Sequence, residues 1–347
     1  MKNILLGCLL CASIFLAGEF FLRHHGIQLP LETTIHYRPE ISATGHLLNP
    51  NKGIIRSSSQ FHIQYHFYPP HLRDTPVNHD AISILVLGDS FTFGWLLPSE
   101  KTFIYELQTK VDHAFGKNKY QFLNAATPGW GTTDQLAYLK DYGSELSPQF
   151  VLVFLNIEDI GRSIWQDIYK LPDSDSLPLI NNARPMKTLL RSVFYNGWIY
   201  EHSVLLQFSH DFLHKEYLKY MNVSRTNELI FRDVFVTNYG EGLFRQMNEW
   251  CKEHHATLLV VTTGFNAFYP NGLHDPTRTF LTKAPSFFNK EGIRYYDIAP
   301  LLKKTRQKEN DLIGEDEHPN PLGAHIIAES SWPWLKQQIA ASPEHPA

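Results

Sequence analysis

Residues 82–94 read ISILVLGDSFTFG and join a strand to an abrupt turn. Positions 82–87 are largely apolar and β-branched, which is typical of a parallel strand that is buried on both faces. Gly88 permits a tight turn directly after this strand. We therefore expect Ser90 at the carboxyl end of the strand and near a helix start, where open α/β sheets bind their ligands. Because Asp89 and Ser90 are also common turn and capping residues, this segment alone does not decide the chemistry.

The composition is that of an ordinary globular protein. The chain has 347 residues, with 31 basic and 35 acidic side chains, a formal net charge of −4 and 43% hydrophobic residues. A chain of this kind can bury a large core. The near-neutral charge and the lack of a Lys/Arg run argue against nucleic-acid binding. Its 3 cysteines are too few for a disulfide scaffold.

The N-terminal residues predict export. Residues 4–18 carry no charge, and Glu19 alone interrupts the apolar stretch before Phe20. A run of about 15 apolar residues suits a signal-peptide core, whereas a membrane-spanning helix needs about 20. Residues 1–25 are therefore predicted to be a cleaved signal peptide or an uncleaved membrane anchor. The anchor would face the periplasm or the cell exterior, and cleavage would give a secreted protein.

The segment after the N-terminal stretch has no clear periodicity over most of its length. Residues 26–80 are polar, proline-bearing and rich in histidine, and we predict an irregular lead-in there. Residues 61–67 alternate in strand fashion, which would put His62 and His66 on one face. No third ligand is placed beside them, so we do not predict a metal site.

The strand followed by Gly-Asp-Ser-Phe-Thr-Phe-Gly resembles the first block of the SGNH (GDSL-type) hydrolases. This superfamily contains esterases, lipases and carbohydrate acyl-group enzymes. The Gly-x-Ser-x-Gly elbow of the α/β-hydrolases fits less well, because Thr92 stands two residues after Ser90. The resemblance implies an α/β fold, a three-layer α/β/α flavodoxin-like sandwich with a central parallel sheet. The catalytic domain would span residues 81–340, with a helical insertion at about 160–238.

A glycine in the second block of the family helps to form the oxyanion hole. Residues 121–131 read QFLNAATPGWG, which is a strand followed by a turn that contains glycine. Gly129 matches the family position, and the resemblance implies that its N–H binds the oxyanion together with the N–H of Ser90.

The third block carries an asparagine after a buried strand. The strand is expected at residues 150–155. The family commonly shows Gly-x-Asn-Asp, and alignment on Asp159 puts Asn156 at the glycine position and Glu158 at the asparagine position. We favour Asn156, because an oxyanion hole needs a hydrogen-bond donor and a carboxylate would repel negative charge. Asp159 is then expected to brace the loop.

The fourth block carries the general base. Residues 314–325 read GEDEHPNPLGAH, and His318 matches the family histidine. The family places an acid two or three residues before this histidine, which implies Asp316 or Glu315. We favour Asp316, because the shorter side chain is the usual type in the family. His325 falls on the following helix and is expected to be structural.

Together the four blocks predict a serine-dependent acyl-ester hydrolase that acts on a small or carbohydrate-linked ester outside the cytoplasm. Ser90 would attack the ester, His318 would accept and return the proton, and Asp316 would orient the imidazole. No metal or organic cofactor is implied. The expected partners are an ester-bearing small molecule or glycan and a membrane that binds residues 1–25. Two alternatives stay open: an O-acyltransferase that modifies a cell-envelope polysaccharide, and a noncatalytic envelope-binding protein with the same fold.

Overall fold

The computed structural model describes most of the chain around the four blocks. Its described residues are 2–26, 39–58, 62–156, 158–166, 169–170, 179–180, 203–206, 208–209, 233–264, 276–305, 309–314 and 318–341. Most of the insertion predicted at about 160–238 lies outside these ranges, as do Asp316 and Glu315.

Strands and helices alternate through the predicted catalytic domain. The strands are β1 (Glu40–Ile41), β2 (Leu47–Leu48), β3 (Gly53–Ser58), β4 (His62–Tyr68), β5 (Leu72–Arg73), β6 (Ile82–Leu87), β7 (Tyr120–Asn124), β8 (Phe150–Leu155), β9 (Tyr169–Lys170), β10 (Leu179–Ile180), β11 (Thr257–Thr262) and β12 (Arg294–Tyr296). The helices are α1 (Lys2–His24), α2 (Ser90–Phe93), α3 (Phe103–Phe115), α4 (Thr132–Leu146), α5 (Asp159–Gln166), α6 (Asp233–Glu253), α7 (Pro276–Glu291), α8 (Ala299–Lys304), α9 (Glu309–Leu312) and α10 (Pro321–Ala340).

The central sheet has 8 strands in the order β12-β11-β8-β6-β7-β5-β4-β3. The strands from β12 to β7 in this order run parallel to their neighbours. Counted along the chain, these parallel strands lie in the flavodoxin-like order 2-1-3-4-5. The predicted α/β fold class is therefore confirmed. The strand order reverses between β6 and β8, so their carboxyl ends border the crevice in which this fold binds ligands.

Both faces of the parallel strands are covered by helices, as the apolar runs predict. Val151 and Val153 of β8 belong to the core that packs on α4, α6 and α7. Leu152 and Phe154 of the same strand point the other way, into the core with α3 and α10. All of β8 is buried, which accounts for its uninterrupted apolar sequence. These two cores give the molecule its three layers.

The prediction of an irregular lead-in over residues 26–80 is wrong for β3 and β5, whereas β4 confirms the strand-like alternation of residues 61–67. β3, β4 and β5 extend the sheet by antiparallel pairing, and β5 pairs with β7. The side chains of β4 alternate, with Ile63, Tyr65 and Phe67 buried and Gln64 exposed between them. A strand with one exposed face carries many polar residues, which is why the segment resembles a loop in sequence.

Helix α1 contacts the described part of the insertion. The Glu19 carboxylate accepts hydrogen bonds from Ser203 Oγ at 2.9 Å and from the N–H groups of Val204 and Leu205 at 3.0 and 2.9 Å. Within the described parts of the chain, no helix is both long enough and apolar enough to cross a membrane. The predicted anchor is not confirmed.

Candidate active site

The chain turns sharply after β6 and places Ser90 at the first position of α2. A Cβ on Gly88 would lie 2.2 Å from Thr92 Oγ1, so the turn leaves room for glycine alone. Asp89 caps the helix, since its Oδ1 accepts a hydrogen bond from the N–H of Phe91 at 2.9 Å. Ser90 itself is 8% exposed, within the crevice. A glycine turn and a carboxylate cap thus fix the position of the predicted nucleophile.

His318 lies directly opposite this serine. Its Nε2 is 2.8 Å from Ser90 Oγ. This is a hydrogen-bond distance, as a nucleophile and its general base require. The imidazole packs beside Phe91 and Trp95, with ring centroids 5.5 and 6.2 Å away. Just beyond it, Asn320 caps α10 by accepting a hydrogen bond from the N–H of Gly323 at 2.9 Å. The structure therefore brings together two predicted site residues that lie far apart in sequence.

Of the other candidate residues in the fourth block, the structure describes only His325. Asp316 and Glu315, the two predicted acids, are outside the described residues. His325 lies on α10, and its Nδ1 is 2.9 Å from Glu106 Oε2 of α3. His325 is half-exposed and paired with this surface carboxylate.

Asn156 and Glu158, the two candidates of the third block, occupy different places. Asn156 Nδ2 donates a hydrogen bond to Asp89 Oδ2 at 2.9 Å, and Asn156 Oδ1 accepts one from Thr263 Oγ1 at 3.2 Å. These two bonds fix which way the amide points. The Glu158 side chain is 61% exposed and pairs with Arg162 at 2.7 Å. Of the two candidates, Asn156 is the one bonded to the loop that carries Ser90.

Gly129 is the exposed residue of a turn after β7 whose ends, Thr127 and Trp130, are buried. Its φ is +82°, in the left-handed region that favours glycine. Two main-chain bonds hold the turn, from Thr127 N–H to the Gly88 carbonyl at 3.3 Å and from Trp130 N–H to the Thr127 carbonyl at 3.2 Å. The first of these bonds joins the glycine turn to the serine turn.

Arg162 connects these loops and is not among the predicted site residues. Its Nη1 donates to the Trp130 carbonyl at 2.7 Å and lies 3.3 Å from Asp89 Oδ2. Its Nη2 donates to Glu158 Oε2 at 2.7 Å. Acidic residues three and four positions before an arginine on a helix form such pairs, and this spacing is the signal that points to Arg162 in the sequence.

Asp159 is a fully buried carboxylate beside the same arginine. Its Oδ2 accepts hydrogen bonds from the N–H of Asn156 at 3.0 Å and from Gln135 Nε2 at 3.3 Å. Burial raises the pKa of Asp159 well above its ordinary value, the nearby Asp89 carboxylate raises it further, and Arg162 opposes both. As predicted, Asp159 braces the loop that carries Asn156.

Arg73 of β5 holds the opposite end of α2 and is likewise not among the predicted residues. The side chain is 1% exposed, and its guanidinium carbon lies 4.6 and 4.4 Å from the ring centroids of Tyr65 and Phe93. Its Nε donates to Asp74 Oδ2 at 2.7 Å. Its other acceptors are main-chain carbonyls in and after α2, namely those of Phe93, of Gly94 at 2.7 Å and of Leu97 at 2.7 Å.

One group of side chains in the described part of the chain has the composition of a metal site. It consists of Glu106, His325 and Glu329 on the facing surfaces of α3 and α10. Lys110 Nζ already lies 2.5 Å from Glu329 Oε1, so a cation is present in the group. None of the three side chains belongs to the loops that meet around Ser90.

The sequence matches one protein family over most of its length. Residues 86–326 match the GDSL-like lipase/acylhydrolase family. The psychrotrophic esterase EstA from a Pseudoalteromonas species is 13% identical, with a TM-score of 0.44 over 74% of this chain and 98% of that chain. A catalytic mutant of Axe2, an acetylxylan esterase from Geobacillus stearothermophilus, is 12% identical, with a TM-score of 0.44 over 74% of this chain and 93% of that chain. Among proteins with curated descriptions, none matches in sequence. By its match over residues 86–326, the chain belongs to the GDSL-like lipase/acylhydrolase family.

Proposed function

We propose that this protein is a serine-dependent hydrolase of acyl esters. The observation that carries the proposal is the 2.8 Å contact between His318 Nε2 and Ser90 Oγ. A serine hydroxyl is a weak nucleophile until an imidazole accepts its proton, and here the two groups meet at the ligand-binding edge of the sheet. Membership of a family of lipases and acylhydrolases supports ester chemistry at this pair.

The proposed reaction has two acyl-transfer steps. Ser90 Oγ attacks the ester carbonyl carbon while His318 Nε2 takes the hydroxyl proton. The tetrahedral intermediate then collapses, the bond to the alcohol breaks, and His318 returns the proton to the departing alcohol oxygen. Water attacks the resulting acyl-serine, again with His318 as base, which releases the acid and restores Ser90.

Three donors are proposed to bind the oxyanion of each tetrahedral intermediate. They are the N–H groups of Ser90 and Gly129 and the side-chain amide of Asn156. An amide nitrogen carries two N–H groups, so Asn156 Nδ2 can bind Asp89 and an oxyanion together. Removal of one such donor typically raises the barrier by about 3–4 kcal/mol.

The proposed orienting acid, the substrate class and the location rest on the sequence. Asp316 is proposed to accept a hydrogen bond from the second ring nitrogen of His318, with Glu315 as the alternative. The uncharged residues 4–18 support an exported protein. Outside the cytoplasm, esters are carried by envelope glycans as well as by small molecules, so we propose a small or carbohydrate-linked ester as the substrate.

The proposal is tested with the full-length protein, by fluorophosphonate labelling and by acetate release from p-nitrophenyl acetate. Ser90→Ala and His318→Ala are each expected to lower kcat by about 10³-fold or more. His325→Ala is the matched control, because this histidine pairs with Glu106, and it is expected to retain wild-type activity. A Ser90→Ala protein as active as the wild type would contradict the mechanism.

The same assay separates the two alternatives. Acetyl transfer to an added oligosaccharide in preference to water would identify an O-acyltransferase. A folded wild-type protein that neither reacts with the probe nor releases acetate would identify a noncatalytic binding protein.

A further inference from the structure

We infer, on the basis of the proposed function, that Arg162 is a positioning residue that assembles the oxyanion hole. Arg162 lies on α5, and its side chain is 21% exposed. Its Nη1 contacts the Trp130 carbonyl at 2.7 Å, Asp89 Oδ2 at 3.3 Å and Asp159 Oδ1 at 3.8 Å. One guanidinium nitrogen thus reaches two loops and the first residue of its own helix.

Each of these three contacts is close in sequence to one proposed oxyanion donor. Asp89 immediately precedes Ser90, and Trp130 immediately follows Gly129. The third contact, Asp159, is also linked to a donor, because its carboxyl group accepts a hydrogen bond from the N–H of Asn156. A shift of Arg162 would therefore move all three donors relative to one another.

Asp89 is the most direct link between Arg162 and the donors. Its carboxylate is fully buried, and its Oδ2 is shared by Arg162 and by the Asn156 amide at 2.9 Å. Without Arg162, the Asn156 amide would be anchored to a carboxylate with no other cation bonded to it among the described residues. An unneutralised carboxylate next to Ser90 would also repel the negative charge that develops on the oxyanion.

The guanidinium group suits this task better than an ammonium group. It is planar, carries several N–H donors in a fixed fork, and stays protonated. The carboxylates of Asp89 and Asp159 raise the pKa of Arg162 in opposition to burial, which keeps the charge in place. A lysine would carry the charge but not the fork, so Arg162→Lys is not a conservative change here.

Loss of Arg162 is expected to act on the transition state more than on substrate binding. The donors bind an oxygen that becomes fully negative only in the tetrahedral intermediate, so their misplacement lowers kcat and leaves KM nearly unchanged. We expect Arg162→Gln to lower kcat by about 10- to 100-fold with KM within about threefold of wild type. Arg162→Lys is expected to recover only part of this loss.

Three measurements distinguish positioning from a general loss of structure. Steady-state hydrolysis of p-nitrophenyl acetate gives kcat and KM, and circular dichroism gives the folded fraction to which kcat is normalised. A double-mutant cycle with Asn156→Ala tests whether Arg162 acts on kcat through the position of Asn156. If Arg162 acts through Asn156, the Asn156→Ala loss is expected to be smaller in the Arg162→Gln background than in wild type. Glu158→Gln is the matched control, since Glu158 bonds the other terminal nitrogen of the same side chain, and we expect kcat within about twofold of wild type.

Several outcomes would overturn the inference. Wild-type kcat in folded Arg162→Gln would do so, and so would a loss confined to KM or fully additive effects in the cycle. Should Arg162→Gln not fold, the kcat of Arg162→Lys decides: normalised to the folded fraction, a wild-type value refutes positioning. Failure of the proposed function is recognised separately, because Ser90→Ala would then retain the activity that the Arg162 variants are compared with.

Discussion

Two arginines hold the short helix that carries Ser90, one at each end. At the N-terminal end, Arg162 contacts the side chain of the capping residue Asp89 at 3.3 Å. At the C-terminal end, Arg73 packs on the Phe93 ring and donates hydrogen bonds to main-chain carbonyls of this helix and of the turn after it, with distances of 2.7 Å to Gly94 and to Leu97. The two ends thus differ in what the arginine bonds. At the N-terminal end it is a side chain that also binds Asn156, and at the C-terminal end it is a set of carbonyls.

This difference predicts different roles for the two ends. Carbonyls at the end of a helix have no partner within it, and the buried Arg73 bonds that of Phe93 together with two carbonyls in the turn that follows. Its loss should therefore act on the free energy of unfolding. Asp89, the partner of Arg162, is bonded to the proposed oxyanion donor Asn156, so the loss of Arg162 should act on kcat.

The largest expected effect is on stability, from Arg73→Met. Methionine keeps part of the apolar stem between Tyr65 and Phe93 but leaves the buried carbonyls and Asp74 without the guanidinium. We expect the free energy of unfolding to fall by about 3–5 kcal/mol, measured by urea denaturation. The kcat of the folded fraction should stay within about tenfold of wild type, because Arg73 bonds no proposed catalytic group.

The matched control for this change is Arg23→Met. Arg23 is about half-exposed and forms an i,i+4 pair with Glu19 on α1, and helix pairs at this spacing contribute about 0.2–0.5 kcal/mol. If Arg73→Met left stability unchanged and abolished activity, the C-terminal end would also control the rate, and the two ends of the helix would not differ in role.

A smaller effect on stability is expected from Tyr65→Phe, at the same end of the helix. The Tyr65 hydroxyl accepts a hydrogen bond from the N–H of Leu96 at 3.0 Å, in a turn where Leu96 has a φ of +59°. Removal of the hydroxyl leaves this N–H without that acceptor, and we expect a loss of about 1–2 kcal/mol. Tyr105→Phe, at a half-exposed tyrosine, should leave the free energy of unfolding almost unchanged. A tenfold fall in kcat without any loss of stability in Tyr65→Phe would contradict the assignment of this end to folding.

The smallest effect is expected at the N-terminal end, as a change of stability with pH. Burial raises the pKa of Asp159 in the folded protein, so the native state binds this proton more tightly than the unfolded chain does. The resulting stabilisation is present below the unfolded pKa of about 3.9 and is lost as the pH rises through the raised native pKa. Asp159→Asn cannot titrate, so wild type should lose stability relative to this variant as the pH rises.

Urea denaturation of both proteins over a series of pH values measures this difference. The series is repeated at high salt as a control, because salt screens exposed charges much more than buried ones. A difference that does not change with pH would mean that the pKa of Asp159 is the same in the folded and the unfolded protein. The predicted result would show that a buried carboxyl group beside Arg162 makes stability depend on pH at this end of the helix.

The sequence predicts the centre of the molecule well. β6 and β8 are recognisable because strands covered on both faces need uninterrupted apolar runs, and the turns after them carry Ser90 and Asn156. Ser90 and His318 are found through the family blocks, and the fold then brings them to 2.8 Å. Asp316, as the orienting acid, stays a prediction.

The two arginines could not be predicted in the same way. Arg73 lies in a two-residue strand within a polar segment, and the carbonyls that it bonds are groups that every residue carries. No residue pattern therefore points to it. Arg162 has acidic residues at helical spacing, but that pattern is also typical of an exposed ion pair and does not reveal the contact with Asp89.

The antiparallel strands β3–β5 also bear on where the catalytic unit begins. The family match starts at residue 86, after Arg73 and Tyr65. A fragment cut at residue 81 would contain the serine, glycine, asparagine and histidine blocks but would lack both residues that hold the turn after α2. We therefore expect the smallest unit that folds autonomously to include β4 and β5, and so to begin before the first residue of the family match.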